Sequence, residues 1–345
     1  LDRDLRIGYL PITDASSLLV AHEGGFLRER GVPSARPVLF RSWESLAQAF
    51  VVGDVDAVHI LMPFAVQLRV ATSAPIKVIG WGHTNGSALV VAPKVERTSQ
   101  LAGATLAIPS WWSIHSVLVQ QILRSSGLVP VVREPASAAR GTVELVVMAP
   151  SDMVPALASG SIRGYAVADP FCAMAEVKGV GRVHRFLGDV WRDHACCAVA
   201  VRQELIDRHP AAVAGLASAV VDAQRWLEGH RPSVSGTLTG AGYLPQAEPA
   251  VATVFGRTAE SYTSVLVHPD WHGERIGFSA FPYPSYTARL VSLLQDSLVD
   301  SPTGFLRGVD PAAVHASLVD DRYVRAALRD AGLTVPLTRE EVVAP

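Results

Sequence analysis

Two α/β lobes of similar design, each a mainly parallel sheet flanked by helices, are predicted by three observations. Strand-like and helix-like segments alternate at βαβ spacing from the first residues onward. The stretch Gln48-Ala49-Phe50-Val51-Val52-Gly53-Asp54-Val55-Asp56-Ala57, running on to Met62-Pro63-Phe64, has an echo later in the chain. It returns as Pro155-Ala156-Leu157-Ala158-Ser159-Gly160-Ser161-Ile162-Arg163-Gly164, running on to Asp169-Pro170-Phe171, with Ala, Gly, Pro and Phe recurring at a constant offset of 107 positions. Finally, 345 residues at about 150 per domain give roughly two domains. With 49% hydrophobic and 18% charged residues, the chain can fill more than one core.

The first strand is Leu5-Arg6-Ile7-Gly8-Tyr9-Leu10, alternating in polarity and closed by Pro11. Residues 13–17 then open an apolar run that continues to Phe26 and Leu27, with Asp14 or a neighbouring Ser or Thr as helix cap and Gly31 as the stop. Pro37-Val38-Leu39-Phe40 begins the next strand, and Ser42 with Ser45 makes half a capping box for the helix that follows. Each copy of the echo reads as helix, Gly cap, short strand and Pro-terminated strand end. Two copies are too few for a solenoid. Residues 88–92 and 106–108 are predicted strands, and residues 116–125 a helix that Gly127 ends. Residues 196–201 read as a strand crossing back to the first lobe. Residues 210–227 form a long helix with Pro210 near its start. The Gly/Ser/Thr/Pro-rich stretch 231–249 is predicted as a loop, and 287–299 and 314–331 as helices. The division expected is a first lobe of residues 1–82 plus 200–345, with a C-terminal helical extension, and a second lobe of residues 83–199.

Several classes are disfavoured. Thirty basic against 32 acidic residues give a net charge of −2 without a basic run, so no nucleic-acid partner is expected. The longest apolar stretches, 51–55 and 58–66, are broken by Asp or Pro well short of a membrane span. Cys172, Cys196 and Cys197 are odd in number and lack C-x-x-C spacing, so they read as buried small hydrophobes rather than a disulfide framework or ligand set. Leu1-Asp2-Arg3-Asp4 resembles neither part of a signal peptide, so any secretion signal is expected to be removed or absent. No G-x-S-x-G, G-x-x-x-x-G-K-[ST] or H-E-x-x-H occurs. Pro269 lies between His268 and His272, and Gly240-Ala241-Gly242 lacks a third glycine. No catalytic residue, metal or cofactor is therefore expected.

Ligands of parallel α/β sheets sit at the carboxyl ends of strands, near free helix N-termini. Residues 11–17, 40–44, 81–86 and 109–115 fall at such places and are rich in Ser, Thr, Trp, Asn and His. Thr13, Ser42, Trp43, Thr84, Asn85, Gly86, Trp111, Trp112 and His115 thus become candidates to line a site for a small, oriented anion. The alternatives are packing of the tryptophans under loops, a backbone-bonded His115 and an Asn85-Gly86 turn.

The order of these features carries a resemblance. Phe26-Leu27 with Gly31, Trp43, Gly53-Asp54-Val55-Asp56-Ala57, Thr84-Asn85-Gly86, Ser113-Ile114-His115-Ser116, Met153, Gly160, Asp169-Pro170-Phe171 and residues 188–194 are arranged like their counterparts in one receptor group. The chain resembles the nitrate- and bicarbonate-binding solute receptors of ABC importers, within the nitrate/sulfonate/taurine group, from about residue 5 to residue 333. Phe281-Pro282-Tyr283-Pro284-Ser285 resembles the C-terminal part of the same family.

The resemblance implies a type II periplasmic-binding-protein-like fold: two α/β lobes joined by two crossing strands, closing on a solute by hinge motion. It further implies an extracytoplasmic receptor, periplasmic or lipid-anchored, monomeric, with an ABC permease as partner and no catalysis. In nitrate-binding members a Trp, a Gln, a His and a Lys hold the anion. The matching positions here are Trp43, Asn85, His115 (with Trp112 close by) and Arg192, for which the alternative is a surface ion pair with Asp189 or Asp193. Asp169, in the matched Asp169-Pro170-Phe171, is a further candidate. Asn85 is shorter than Gln, and the Arg192 fork suits a carboxylate or sulfonate better than a Lys point charge does. With Trp111 and Trp112, these departures imply room for an organic anion larger than nitrate. An enzyme on the same fold, of thiamine-precursor or menaquinone-pathway type, is the alternative, although Cys196-Cys197 does not reproduce the cysteine-rich motif of the pyrimidine-synthase branch. A ligand-sensing domain of a regulator is the other.

Overall fold

The structure, a computed structural model, describes every residue except 2, 258, 272, 336 and 337, and residue 259 by its backbone. His272, and with it the His268–His272 pair, lies outside the described residues. Strands form where β-branched and apolar residues run together. They are β1 (Ile7–Tyr9), β2 (Val38–Leu39), β3 (Ala57–Leu61), β4 (Ile76–Trp81), β5 (Thr84–Asn85), β6 (Ser87–Val91) and β7 (Thr105–Ile108). The remainder are β8 (Val129–Val131), β9 (Thr142–Val147), β10 (Gly164–Ala168), β11 (Arg182–Phe186), β12 (Cys197–Arg202) and β13 (Ile276–Gly277). The central strands β3, β6 and β10 are buried along their whole length, as sheets covered on both faces require.

These strands make two large sheets of matching topology. The first has the order β2-β1-β3-β12-β4, with β1, β2 and β3 parallel and β12 antiparallel to both of its neighbours. The second has the order β11-β6-β10-β7-β9-β8. Its strands β7, β8, β9 and β10 run parallel, with β6 antiparallel between β10 and β11. Read from β9, the second sheet repeats the pattern of the first, and β3 and β10 occupy equivalent central places. The sequence echo therefore corresponds to equivalent parts of two sheets. Both copies run helix, left-handed Gly cap, central strand: Trp43–Val52 with Gly53 before β3, and Pro150–Ser159 with Gly160 before β10.

Helices cover the sheets as the periodicity demands. Pro210–Gly229 and Ser16–Glu23 pack through Leu216, Val220, Leu18 and Leu19 onto a face of the first sheet that presents Ile7, Ala57, Ile79 and Val199. The opposite face joins one continuous apolar cluster with the second sheet and the helix Ile114–Ser125. The first strand, the Ser42-capped helix and the return strand after residue 196 all form as predicted.

Three expectations are corrected. Residues 231–249 are not a loop: they hold the helix Arg231–Gly240 and the start of Glu248–Gly256. Val234 and Leu238 bury one turn apart, and the hydroxyls of Thr237 and Thr239 bond back to the carbonyls of Ser233 and Ser235. Polar composition concealed that helical period. Residues 314–331 are two helices, Pro311–Leu318 and Arg322–Asp330. Between them Val319 bridges to Val78, and the Asp320 N–H donates to the Val78 carbonyl at 2.9 Å, so sheet pairing breaks the helix. Asp14 does not cap the first helix: it lies in a 3-10 turn, Thr13–Ala15, without a capping bond. No helix among the described residues is long and apolar enough to cross a membrane.

Candidate functional site

The chain passes between the sheets twice, at 82–86 after β4 and at 187–196 before β12. Main-chain hydrogen bonds bind these crossings to the turn after β1. Thr13 N–H donates to Asp169 O at 2.8 Å, Asp169 N–H to Gly86 O at 2.9 Å, and Asn85 N–H to His194 O at 2.9 Å. Gly82 N–H donates to Cys197 O at 3.2 Å. Strand ends from the first sheet and both crossings thus meet at one point, where a parallel α/β sheet presents a ligand site.

Buried polar side chains crowd that point. Asp14 and His83 are fully buried, and His83 Nε2 stands 3.0 Å from Asp14 Oδ2 without hydrogen-bond alignment. Both Asp14 oxygens, both His83 nitrogens, both His59 nitrogens, Asn85 Oδ1, His115 Nδ1 and His194 Nε2 are buried without a hydrogen-bond partner. Orphans are rare in protein interiors because each costs about 1–3 kcal/mol; a cluster of them marks a place built to receive something. Cys196 Sγ lies 3.7 Å from Cys197 Sγ and 3.9 Å from His115 Nε2, which also contacts Ser87 Oγ at 2.9 Å. Gly86 is needed here. Its φ is 80°, and a Cβ would come within 2.7 Å of Asp14 Oδ1.

Burial sets the protonation of the cluster. It pushes the Asp14 carboxyl up to about 7, against the pull of His83. Burial opposes the charge on His83, but the carboxylate of Asp14 beside it carries the imidazole up to about 10. Burial, with the charge of His83 adding to it, lowers His59 to about 3, and burial lowers His194 to about 4, so both are neutral imidazoles near pH 7. Neutral rings offer both a donor and an acceptor.

A cavity of about 400 Å³ opens beside this polar centre. Leu10, Pro11, Ile12 and Arg41 line it from the ends of β1 and β2, and Pro150 and Phe171 from the starts of the helices Pro150–Ser159 and Phe171–Val177. Its walls are mostly apolar, and Arg41 is the cation among those lining residues.

The structure gathers some of the expected residues and separates others. Trp43, Asn85, Thr84, Gly86 and His115 are buried, with Asn85 in the left-handed region at φ 60°. Thr13 bonds through its hydroxyl to Asp169 O at 2.9 Å. Ser42 is a helix cap, its oxygen accepting from Ser45 N–H. The Trp112 ring lies 5.4 Å from that of Phe305, tilted by 49°, and Trp111 is half-buried. Asp169, a candidate through the resemblance, has its carboxylate engaged within the chain. Arg275 grips its two oxygens at 2.5 and 2.7 Å, and Ala173 N–H donates to it as well. Arg192 is half-buried beside the C-terminal tail, its N–H donating to Val342 O at 3.1 Å. Asp189 is already paired with Arg185 at 2.9 Å.

Sequence reasoning missed Asp14, His59, His83, His194, Cys196 and Cys197 as a group. Asp14 and His83 sit inside segments singled out above, but nothing in a single chain shows that they meet.

Two sheets of matching order, joined by crossings that carry a polar site, define a protein of the periplasmic-binding-protein fold. The profile of the NMT1-like family matches residues 2–236, and the chain belongs to that family. It is similar to the nitrate/nitrite binding protein NrtA of Nostoc sp. PCC 7120, 23% identical over an alignment of 244 residues that covers 65% of this chain and 53% of that protein. The chain thus spans about half the length of the curated relatives it matches. Among solved structures, the periplasmic nitrate-binding protein NrtA from Synechocystis PCC 6803 superposes with a TM-score of 0.79 at 18% identity, covering 95% of this chain and 88% of that one. The ligand-binding component of an ABC-type import system from Staphylococcus aureus, solved with zinc bound, gives a TM-score of 0.72 at 19% identity, covering 94% and 99%.

Proposed function

We propose that the protein is the extracytoplasmic solute receptor of an ABC importer. It captures a small anion of the nitrate, bicarbonate, sulfonate or carboxylate class between two lobes and hands it unchanged to a permease. The lobes are residues 1–82 with 200–345, and residues 83–199. The observation that carries this reading is the cluster of buried polar groups, many of them without a hydrogen-bond partner, around the two inter-sheet crossings.

The indole N–H of Trp43 and the side-chain amide N–H groups of Asn85 can donate to an anion, while neutral His194, whose Nδ1–H donates to the Trp191 carbonyl, presents Nε2 as an acceptor. Donors held dry and in place strengthen their bonds to an anion, since hydrogen bonds to a charged acceptor contribute about 1.5–3 kcal/mol each. Contacts drawn from both lobes are complete only when the lobes are closed, so binding favours closure. The relatives named nitrate/nitrite binding proteins support the anion class, and the apolar cavity beside the site leaves space for an organic tail. The strand β12 begins at Cys197, close to the second lobe boundary.

Isothermal titration with nitrate, bicarbonate, carboxylates and sulfonates tests this reading. At least one anion is expected to bind, and Trp43→Phe combined with Asn85→Ala is expected to weaken it by about ten-fold or more with the fold intact. Binding of no anion in the panel would overturn the proposal.

A further inference from the structure

Two thiols, an imidazole and a carboxylate converge in the interior. We propose that Asp14, His83, Cys196 and Cys197 form a binding site for one borderline-soft transition-metal ion of the Zn²⁺ type. The site goes beyond the anion-receptor reading, and it stands or falls separately.

One ligand atom from each of the four residues can be chosen so that all lie within 4.8 Å of one another, and all four residues are buried. Tetrahedral Zn²⁺ with sulfur ligands at about 2.3 Å puts the two sulfurs about 3.8 Å apart; Cys196 and Cys197 stand at 3.7 Å. Oxygen and nitrogen ligands at about 2.0–2.1 Å give an edge of about 3.3 Å, close to the 3.0 Å between Asp14 Oδ2 and His83 Nε2. The wider separations close by about 1 Å when a central ion draws the four side chains inward. Thiolate and imidazole donors select Zn²⁺ and its neighbours over Ca²⁺ or Mg²⁺, which take oxygen.

The environment points the same way. Asp14 and His83 leave all four of their side-chain polar atoms buried and without a hydrogen-bond partner. Cys172, equally buried, donates its thiol to the Val167 carbonyl at 3.1 Å, whereas the thiols of Cys196 and Cys197 face each other and the His115 ring. The ligands are also held on rigid supports. Cys197 opens β12, His83 follows β4 by one residue, and Asp14 sits in the turn after β1, with Gly86 packed against its carboxylate. A site placed on strand ends keeps its geometry better than one on loops. Around it, His115 Nε2 approaches Cys196 Sγ at 3.9 Å, and the His59 ring lies 5.9 Å from the His83 ring. Binding displaces the two thiol protons and the proton His83 shares with Asp14 to solvent, and the two thiolates with the Asp14 carboxylate more than offset the charge of the ion.

The test uses the full chain, reduced and stripped of metal by a chelator. Titration with Co²⁺ is expected to give one bound ion per chain and a thiolate-to-cobalt charge-transfer band. Zn²⁺, measured by competition against a chromophoric chelator, is expected to bind at least about 100-fold more weakly to Cys196→Ser/Cys197→Ser. Cys172→Ser is expected to bind as the parent does. Equal Zn²⁺ affinity in the double variant, or no stoichiometric binding by the parent chain, would overturn the site. Should the variant fail to fold, X-ray absorption of the Zn²⁺-loaded parent decides: two sulfur neighbours support the site and none refutes it. Anion titration run on the metal-free protein keeps the two proposals apart. Anion binding without metal binding removes only the metal site, and metal binding with no anion bound in either state removes only the receptor reading.

Discussion

Asp169 shows what a single buried carboxylate contributes. Its bidentate pair with the fully buried Arg275 fastens a residue far along the chain to the end of β10, next to the crossing at Gly86. Removing one partner strands the other, which typically costs about 3–5 kcal/mol. Urea denaturation of Asp169→Ala is expected to show a loss of that size. Asp169→Leu/Arg275→Met/Glu176→Gln is expected to recover most of it, because Glu176, which Arg275 also pairs at 2.8 Å, is then neutral too and no buried charge is left.

Gly86→Ala meets a left-handed backbone and the Asp14 oxygen together, and is expected to destabilise by at least about 1 kcal/mol in the same assay. At Asp56, burial alone would raise the carboxyl, but hydrogen bonds from Arg3 and Arg6 hold it down at about 2. A depressed folded pKa stabilises above the unfolded value near 4 and is lost as pH falls from about 4 towards 2. The stability difference between the parent and Asp56→Asn, followed by denaturant midpoint against pH, is expected to be up to about 2 kcal/mol at pH 6 and to shrink across that window.

At this scale the sequence was partly legible. Trp43 and His115 stand at strand-to-helix junctions, which local sequence marks, whereas the surroundings of Arg192 depend on the tail around Val342, a contact that no local pattern encodes.

Among the elements, those bounded by explicit chemistry were the readable ones. Ser42 accepts from Ser45 N–H at 3.2 Å at the start of Trp43–Val52, and Gly53 and Gly160 close their helices in the left-handed conformation. Ser42→Ala is expected to lower stability by about 1 kcal/mol, read as a shift in the denaturant midpoint at unchanged slope. Arg231–Gly240 escaped notice because Ser, Gly and Thr separate the two buried apolar residues that give it a helical period. The helices at Pro311–Leu318 and Arg322–Asp330 looked continuous because the interruption comes from pairing with Val78, some 240 residues away in the chain. Long-range pairing of this kind overrides local propensity without leaving a local trace.

For the molecule as a whole, the repeated helix–glycine–strand unit was the most informative feature, since it anticipated two sheets with equivalent central strands. The polar centre was not foreseeable in the same way. It is assembled from Asp14, His59, His83, Asn85 and Cys196, residues brought together only when β1, β3, β4 and both crossings meet. The receptor account makes that centre a place of capture and release. The most direct trial is to load the chain with the tightest-binding anion found by titration, remove free anion, unfold the protein and weigh what is released. The account expects one anion per chain, recovered with its mass unchanged; a product of altered mass, or no retained anion, would contradict it.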